Sequence, residues 1–248
     1  MPEDGSVEAR EVTEDWACLG LWGPSAREIL QAVTGDDVSN VAFPYMTART
    51  IRINGVPAMA QRVTYVGELG WELYMAPEKA GEVWDALMAA GQPRGLRPAG
   101  YKALDSLRLE KGYRYWSVDL TPSDNPFEAG LGFCVRLNKG DFIGREALVK
   151  VKSQGLKQRL CTLTLTDACV VYGGEAVYAG DGAGSRIVSR LRSAGYGYTV
   201  GKNIGFAYLP LELAKEGTPL AVEVFGEHIP AQVAPDVLFD PRGERVRA

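Results

Sequence analysis

The chain is 248 residues long, 46% hydrophobic, and carries a formal net charge of -4, enough length and apolar content for one large domain or two modest ones with a buried core. Its charges are dispersed and form no basic run, which argues against a nucleic-acid partner. No stretch of about 18 apolar residues occurs, which argues against a membrane span.

After an acidic leader, the chain predicts strand, helix, hairpin, strand, helix, with the first strand over Ala17–Leu21. Ser25 followed by Glu28 predicts a capping box, Ala26, Ile29, Leu30 and Val33 form one apolar face, and Gly35 ends the helix. Asn54-Gly55 between apolar runs predicts a tight hairpin, because both residues tolerate positive φ. A second helix is expected from about Pro77 to Ala90, with Val83, Trp84, Leu87 and Met88 on one side. A third enters at Pro98, closes at Gly112 and leads into the aromatic run Tyr113, Tyr115, Trp116. A fourth covers about Gly144 to Ser153, with Ala147, Leu148 and Val151 inward, and its polar exit at Gln154-Gly155 marks the expected boundary. Beyond it, alternation of period two dominates residues 158–166, 174–180 and 219–233, with Gly226 at a turn. The expected class is α+β: a mixed α/β body over residues 1–155 and a small antiparallel β-domain over residues 156–248.

The leader lacks the basic and apolar regions of an export signal. Cys18, Cys134, Cys161 and Cys169 have neither zinc-ligand pairing nor the spacing of a secreted disulfide framework. The expectation is a cytoplasmic protein with reduced thiols and no metal. A lone histidine, His228, gives any His-based triad or multi-histidine site a single candidate.

Chemistry concentrates between residues 65 and 77. Alternation from Gly70 puts Trp71, Leu73 and Met75 on one strand face and Glu72 and Tyr74 on the other. Tyr65, Gly67 and Gly70 precede it, offering an aromatic ring and a backbone that a flat ligand can approach. The pattern alone admits two readings of Glu72, a solvated glutamate on an amphipathic strand or a carboxylate held rigidly for a ligand.

The run YVGELGWE at 65–72 resembles the GYTGExGxE signature of the aminomethyltransferase family, which includes the glycine cleavage T-protein. Colinear matches follow at residues 104–120, 125–135, 138–148 and 196–210, so the resemblance covers nearly the whole chain, from about Trp16 to Val233. The forms RLEKGYRYW and GYGYTVGKNIGFAYLP look most like the dimethylglycine and sarcosine dehydrogenase branch, in which a folate domain follows a flavin domain. The resemblance implies a barrel-like C-terminal domain over 156–248, a folate-binding region over 1–155, and tetrahydrofolate as cofactor. It implies that Glu72 holds the pterin ring, with Tyr65 and Tyr113 as ring-packing and hydrogen-bonding partners. A carboxylate suits a pterin, because it accepts the ring N–H and the exocyclic amine side by side. Tyr113 also admits a packing role in an aromatic cluster with Tyr115 and Trp116.

Three departures qualify the resemblance. Leu104 stands where glycine cleavage T-proteins commonly carry a folate-site arginine, and leucine cannot replace that fork of donors. Arg108 is expected to form a helix-surface ion pair with Asp105. Asp141 stands where iron–sulfur assembly relatives carry a cysteine. The family's N-terminal portion, with its catalytic aspartate, has no counterpart here, so the expectation is an incomplete one-carbon transfer domain. Its expected partner is a flavin-dependent dehydrogenase half or subunit. The alternatives are a noncatalytic folate-binding accessory protein and an inactive remnant.

Overall fold

A computed structural model describes residues 4–166, 169–180 and 184–248. The chain separates into two compact units, Met1–Gly100 with Arg242–Ala248, and Tyr101–Pro241.

The first unit is a four-stranded antiparallel sheet with two helices packed against it and a short helical turn at Glu244–Arg247. Its elements run β1 (Ala17–Trp22), α1 (Ala26–Val33), β2 (Ala48–Ile53), β3 (Val56–Gln61), β4 (Gly70–Met75) and α2 (Ala80–Gly91), and the strand order is β1-β4-β3-β2. Asn54 and Gly55 both take positive φ, 48° and 83°, and close the β2–β3 hairpin as the dipeptide predicts. Leu21, Ile51, Ile53, Trp71, Leu73 and Met75 point to one face of the sheet, where Ile29 and Leu30 of α1 and Val83 and Leu87 of α2 cover them. That burial is what holds two short helices in place.

Two local expectations fail here. Ser25 makes no side-chain cap bond, because its backbone (φ -92°, ψ 4°) is already turned, away from the extended conformation that a capping side chain needs. The Glu28 carboxylate instead lies 4.0 Å from Arg94. Trp84 is 42% exposed, because Val83 and Leu87, four residues apart, take the buried stripe of α2 and leave Trp84 beside it. The chain's last residues also belong to this unit, where Arg62, fully buried, donates to the carbonyls of Phe43 (2.6 Å) and Ala248 (2.7 Å).

The second unit opens with α3 (Tyr101–Glu110), followed after a long irregular segment by α4 (Arg145–Gln154). Six strands follow: β5 (Gln158–Leu165), β6 (Ala176–Ala179), β7 (Ile187–Gly197), β8 (Lys202–Pro210), β9 (Pro219–Val224) and β10 (Glu227–Ala234). They close an antiparallel barrel in the order β10-β5-β8-β7-β6-β9. Cys161, Leu163, Leu191, Ala207, Leu209, Val222 and Val233 belong to one buried cluster, and Leu109 of α3 joins Leu160, Ile204, Phe206 and Tyr208 in another. β8 is therefore buried on both faces, and its sequence reads as a continuous apolar run rather than an alternation. The mixed α/β body and the antiparallel barrel agree with the expected class.

Contacts divide the chain at Gly100, well before the change of pattern near Gly155, because α3 and the segment after it pack with the barrel. The amide of Leu160 donates to Glu128 O, and Arg192 pairs with Asp124 at 3.1 Å. α4 has no buried residue, and of its three expected inward side chains Ala147 is exposed while Leu148 and Val151 are only half-buried. No helix among the described residues is long and apolar enough to cross a membrane.

Candidate functional site

The open face of the first sheet is built by register. Because opposed residues of an antiparallel pair share a face, β4 aligned with β1 puts Gly70 opposite Trp22, Glu72 opposite Gly20, and Tyr74 opposite Cys18. On its other side, β3 brings Gln61 opposite Glu72 and Met59 opposite Tyr74. Trp71, Leu73 and Met75 occupy the buried face, as alternation predicts, so Glu72 rises from the face away from the helices.

Glu72 is half-buried and oriented. The Tyr74 hydroxyl donates to its Oε2 at 2.7 Å, a charge-assisted bond that fixes the carboxylate on its strand. Donation to that carboxylate, with burial second, pushes the Tyr74 pKa well above its usual value, so the hydroxyl remains a donor. Burial raises the Cys18 thiol pKa, with the negative charge of Glu72 adding to it. A carboxylate beside a neutral hydroxyl and a protonated thiol is an acceptor site, suited to a ligand edge that carries N–H groups.

On the β1 side of Glu72, Gly20 and Gly70 leave room on the sheet for the side chain of Trp22. A Cβ added at Gly20 would lie 2.3 Å from Cζ3 of Trp22, and one at Gly70 would lie 2.4 Å from its Cδ1, so the indole lies across both glycines. Its Nε1 donates to Val63 O at 3.0 Å.

Tyr65 sits in the loop that feeds β4 and is half-buried. The Thr64 hydroxyl accepts from the amides of Val66 and Gly67, each at 3.1 Å, and Gly67 takes φ 77°, which shapes that loop. Glu72 and Tyr65 thus belong to the first unit, whereas Tyr113 belongs to the second. Tyr113 follows α3 through a Schellman turn, in which its amide donates to Arg108 O (2.9 Å) and the amide of Gly112, at φ 71°, donates to Leu109 O (3.0 Å).

Arg108 departs from the expected surface pair. It is 2% exposed, and besides Asp105 (2.7 Å) it reaches Asp119 (2.7 Å), Ser193 Oγ (2.7 Å) and Tyr113 O (3.2 Å). Asp119, fully buried, also accepts from the amides of Ser193 and Tyr115. The helix positions predict the Asp105 contact but not the distant partners that bury the guanidinium.

Sequence reasoning missed Trp22 and Gly20 as neighbours of Glu72, and it put Tyr74 on the same strand face without the bond that joins the two. The available signal is a tryptophan two residues after Gly20, just beyond the predicted strand Ala17–Leu21, but it needs the pairing partner to be read. Among the described residues no group of three or more His, Cys, Asp or Glu side chains is placed to hold a metal.

Comparison with known proteins agrees with this architecture. The profile of the GCVT N-terminal domain matches residues 1–139, and that of the glycine cleavage T-protein C-terminal barrel domain matches residues 158–240. Human mitochondrial dimethylglycine dehydrogenase is 38% identical over 245 residues, covering 97% of this chain and 28% of that protein. Mouse mitochondrial sarcosine dehydrogenase is 41% identical over 244 residues, covering 95% of this chain and 26% of that protein. Both matches fall in the C-terminal part of those proteins, of which the chain spans little more than a quarter. Both relatives are mitochondrial by name, whereas the sequence reading expects a cytoplasmic protein. The crystal structure of the glycine cleavage system aminomethyltransferase T from Bartonella henselae shares the fold, with a TM-score of 0.78 at 24% identity, covering 90% of this chain and 60% of that one. The chain belongs to the glycine cleavage T-protein family.

Proposed function

We propose that this chain is the tetrahydrofolate-binding part of a one-carbon transfer system and that Glu72 holds the pterin ring. The observation that carries the reading is the Glu72 carboxylate, held by Tyr74 on the face of β4 away from the helices. The carboxylate fits the group: a flat ring with adjacent N–H donors needs an acceptor-only partner at its edge. Bound tetrahydrofolate supplies the nitrogen that accepts the carbon unit. Glu72 then binds and orients, with Tyr65 and Tyr113 as further contacts. Similarity to two dehydrogenases supports a flavin-dependent dehydrogenase half or subunit as the partner that makes the one-carbon donor. The division into a folate-binding region at 1–155 and a barrel domain at 156–248 belongs to the same proposal, supported by the gap between the two matched profiles.

Titration of the purified chain with tetrahydrofolate, wild type beside Glu72→Gln, tests the reading. The amide keeps the shape but replaces one acceptor by a donor, so affinity should fall by about 1.5 to 3 kcal/mol, roughly tenfold or more. Thermal stability should change little, because Glu72 is only half-buried and packs away from the core. Equal affinities for the two forms would overturn the role of Glu72.

A further inference from the structure

We infer that Trp22 is the floor on which the flat ring held by Glu72 stacks; the inference rests on the folate reading above and adds the group that recognises the ring's face. Three observations carry it. Gly20 and Gly70 both have φ outside the left-handed region, so backbone conformation does not require glycine at either position. At Gly20 the three nearest atoms a Cβ would meet all belong to the Trp22 ring, at 2.3, 2.4 and 3.0 Å. At Gly70 a Cβ would also strike Leu21 O at 2.1 Å, so that glycine serves strand pairing as well as the ring.

The second observation is direction. Cζ3 and Cη2 lie over Gly20, and Gly20 is the cross-strand partner of Glu72, so the benzo end of the indole reaches the position beside that carboxylate. An indole lying along a sheet presents its remaining face away from the sheet, while a glutamate on the neighbouring strand rises at its side. A ring stacked on the indole therefore meets the Glu72 carboxylate at its edge, in the plane where its N–H groups point.

The third observation is rigidity. The Nε1 bond to Val63 O at 3.0 Å pins the ring in this pose, and Trp22 remains half-buried, outside the buried core of its unit. A pre-set aromatic surface costs little ordering on binding.

The test is tetrahydrofolate titration by calorimetry under reducing, oxygen-free conditions, with tryptophan fluorescence followed in parallel, on wild type, Trp22→Ala, Trp22→Phe, Gly20→Ala and Glu72→Gln. Trp22→Ala should weaken binding roughly ten- to a hundredfold, the range seen when a stacked aromatic is removed. Trp22→Phe should restore most of the affinity while losing the ligand-induced fluorescence change. Gly20→Ala keeps the indole but lifts it, and should weaken binding with far-ultraviolet circular dichroism unchanged. If Trp22→Ala and Gly20→Ala bind like wild type while Glu72→Gln is weakened, the floor is wrong and the role of Glu72 stands. If wild type does not bind, or Glu72→Gln binds as well as wild type, the folate reading fails and this inference fails with it.

Discussion

The Tyr74 hydroxyl, two residues beyond Glu72 on the same strand face, decides how that carboxylate is presented. Without it Glu72 would have rotamers to choose among, and a ligand would bear the cost of selecting one. Tyr74→Phe should therefore weaken tetrahydrofolate binding roughly three- to tenfold, the net value of one hydrogen bond. A merely structural tyrosine would give the same loss in any background. A positioning role predicts that Tyr74→Phe adds nothing once Glu72→Gln is present, so a double-mutant cycle on affinity separates the two. The alternation that puts Glu72 and Tyr74 on one face is plain in the sequence, but the bond between them depends on how the side chains settle.

At the scale of elements, the Arg108–Asp119 pair ties α3 to the aromatic turn and to β7 through Ser193. Both partners are almost fully buried, with side-chain exposures of 3% and 0%, whereas Asp105 is 49% exposed. Removing one member of a buried pair strands the other charge, so Asp119→Ala should cost about 3 to 5 kcal/mol. Asp105→Ala removes an ion pair with one solvated member and should cost about 1 kcal/mol or less. Urea denaturation of the two variants checks the contrast. Similar losses would mean that the buried pair is not what joins α3 to the barrel. The third helix itself is legible in the sequence, yet Arg108 looks like a surface residue there because Asp119 and Ser193 are far along the chain.

For the whole molecule, protection should follow the barrel. β8 is paired on both sides and buried on both faces, whereas α4 buries no residue. Amide hydrogen exchange read by mass spectrometry should find peptides from β5 and β8 slowest and those from α4 among the fastest. Exchange in α4 as slow as in β8 would mean that a surface covers α4 in solution. The chain in this way joins a small sheet carrying the candidate site to a barrel that carries most of the second unit's buried side chains.

What the sequence determined by itself is whatever near neighbours encode. The Asn54-Gly55 hairpin, the apolar stripe of α1, the two faces of β4 and the glycine exit of α3 follow from backbone preferences and periodicity within a few residues. The family signature ending at Glu72 is equally local. The tertiary structure decided what depends on partners far along the chain. Nothing local to Trp22 says that β1 pairs with β4, and a register slip of one residue would turn Glu72 away from Gly20 and the indole. The burial of Arg108, the exposure of Trp84, and the barrel strands β7 and β8, where alternation is interrupted by a bulge or hidden by two-sided burial, were likewise set by what packs against them.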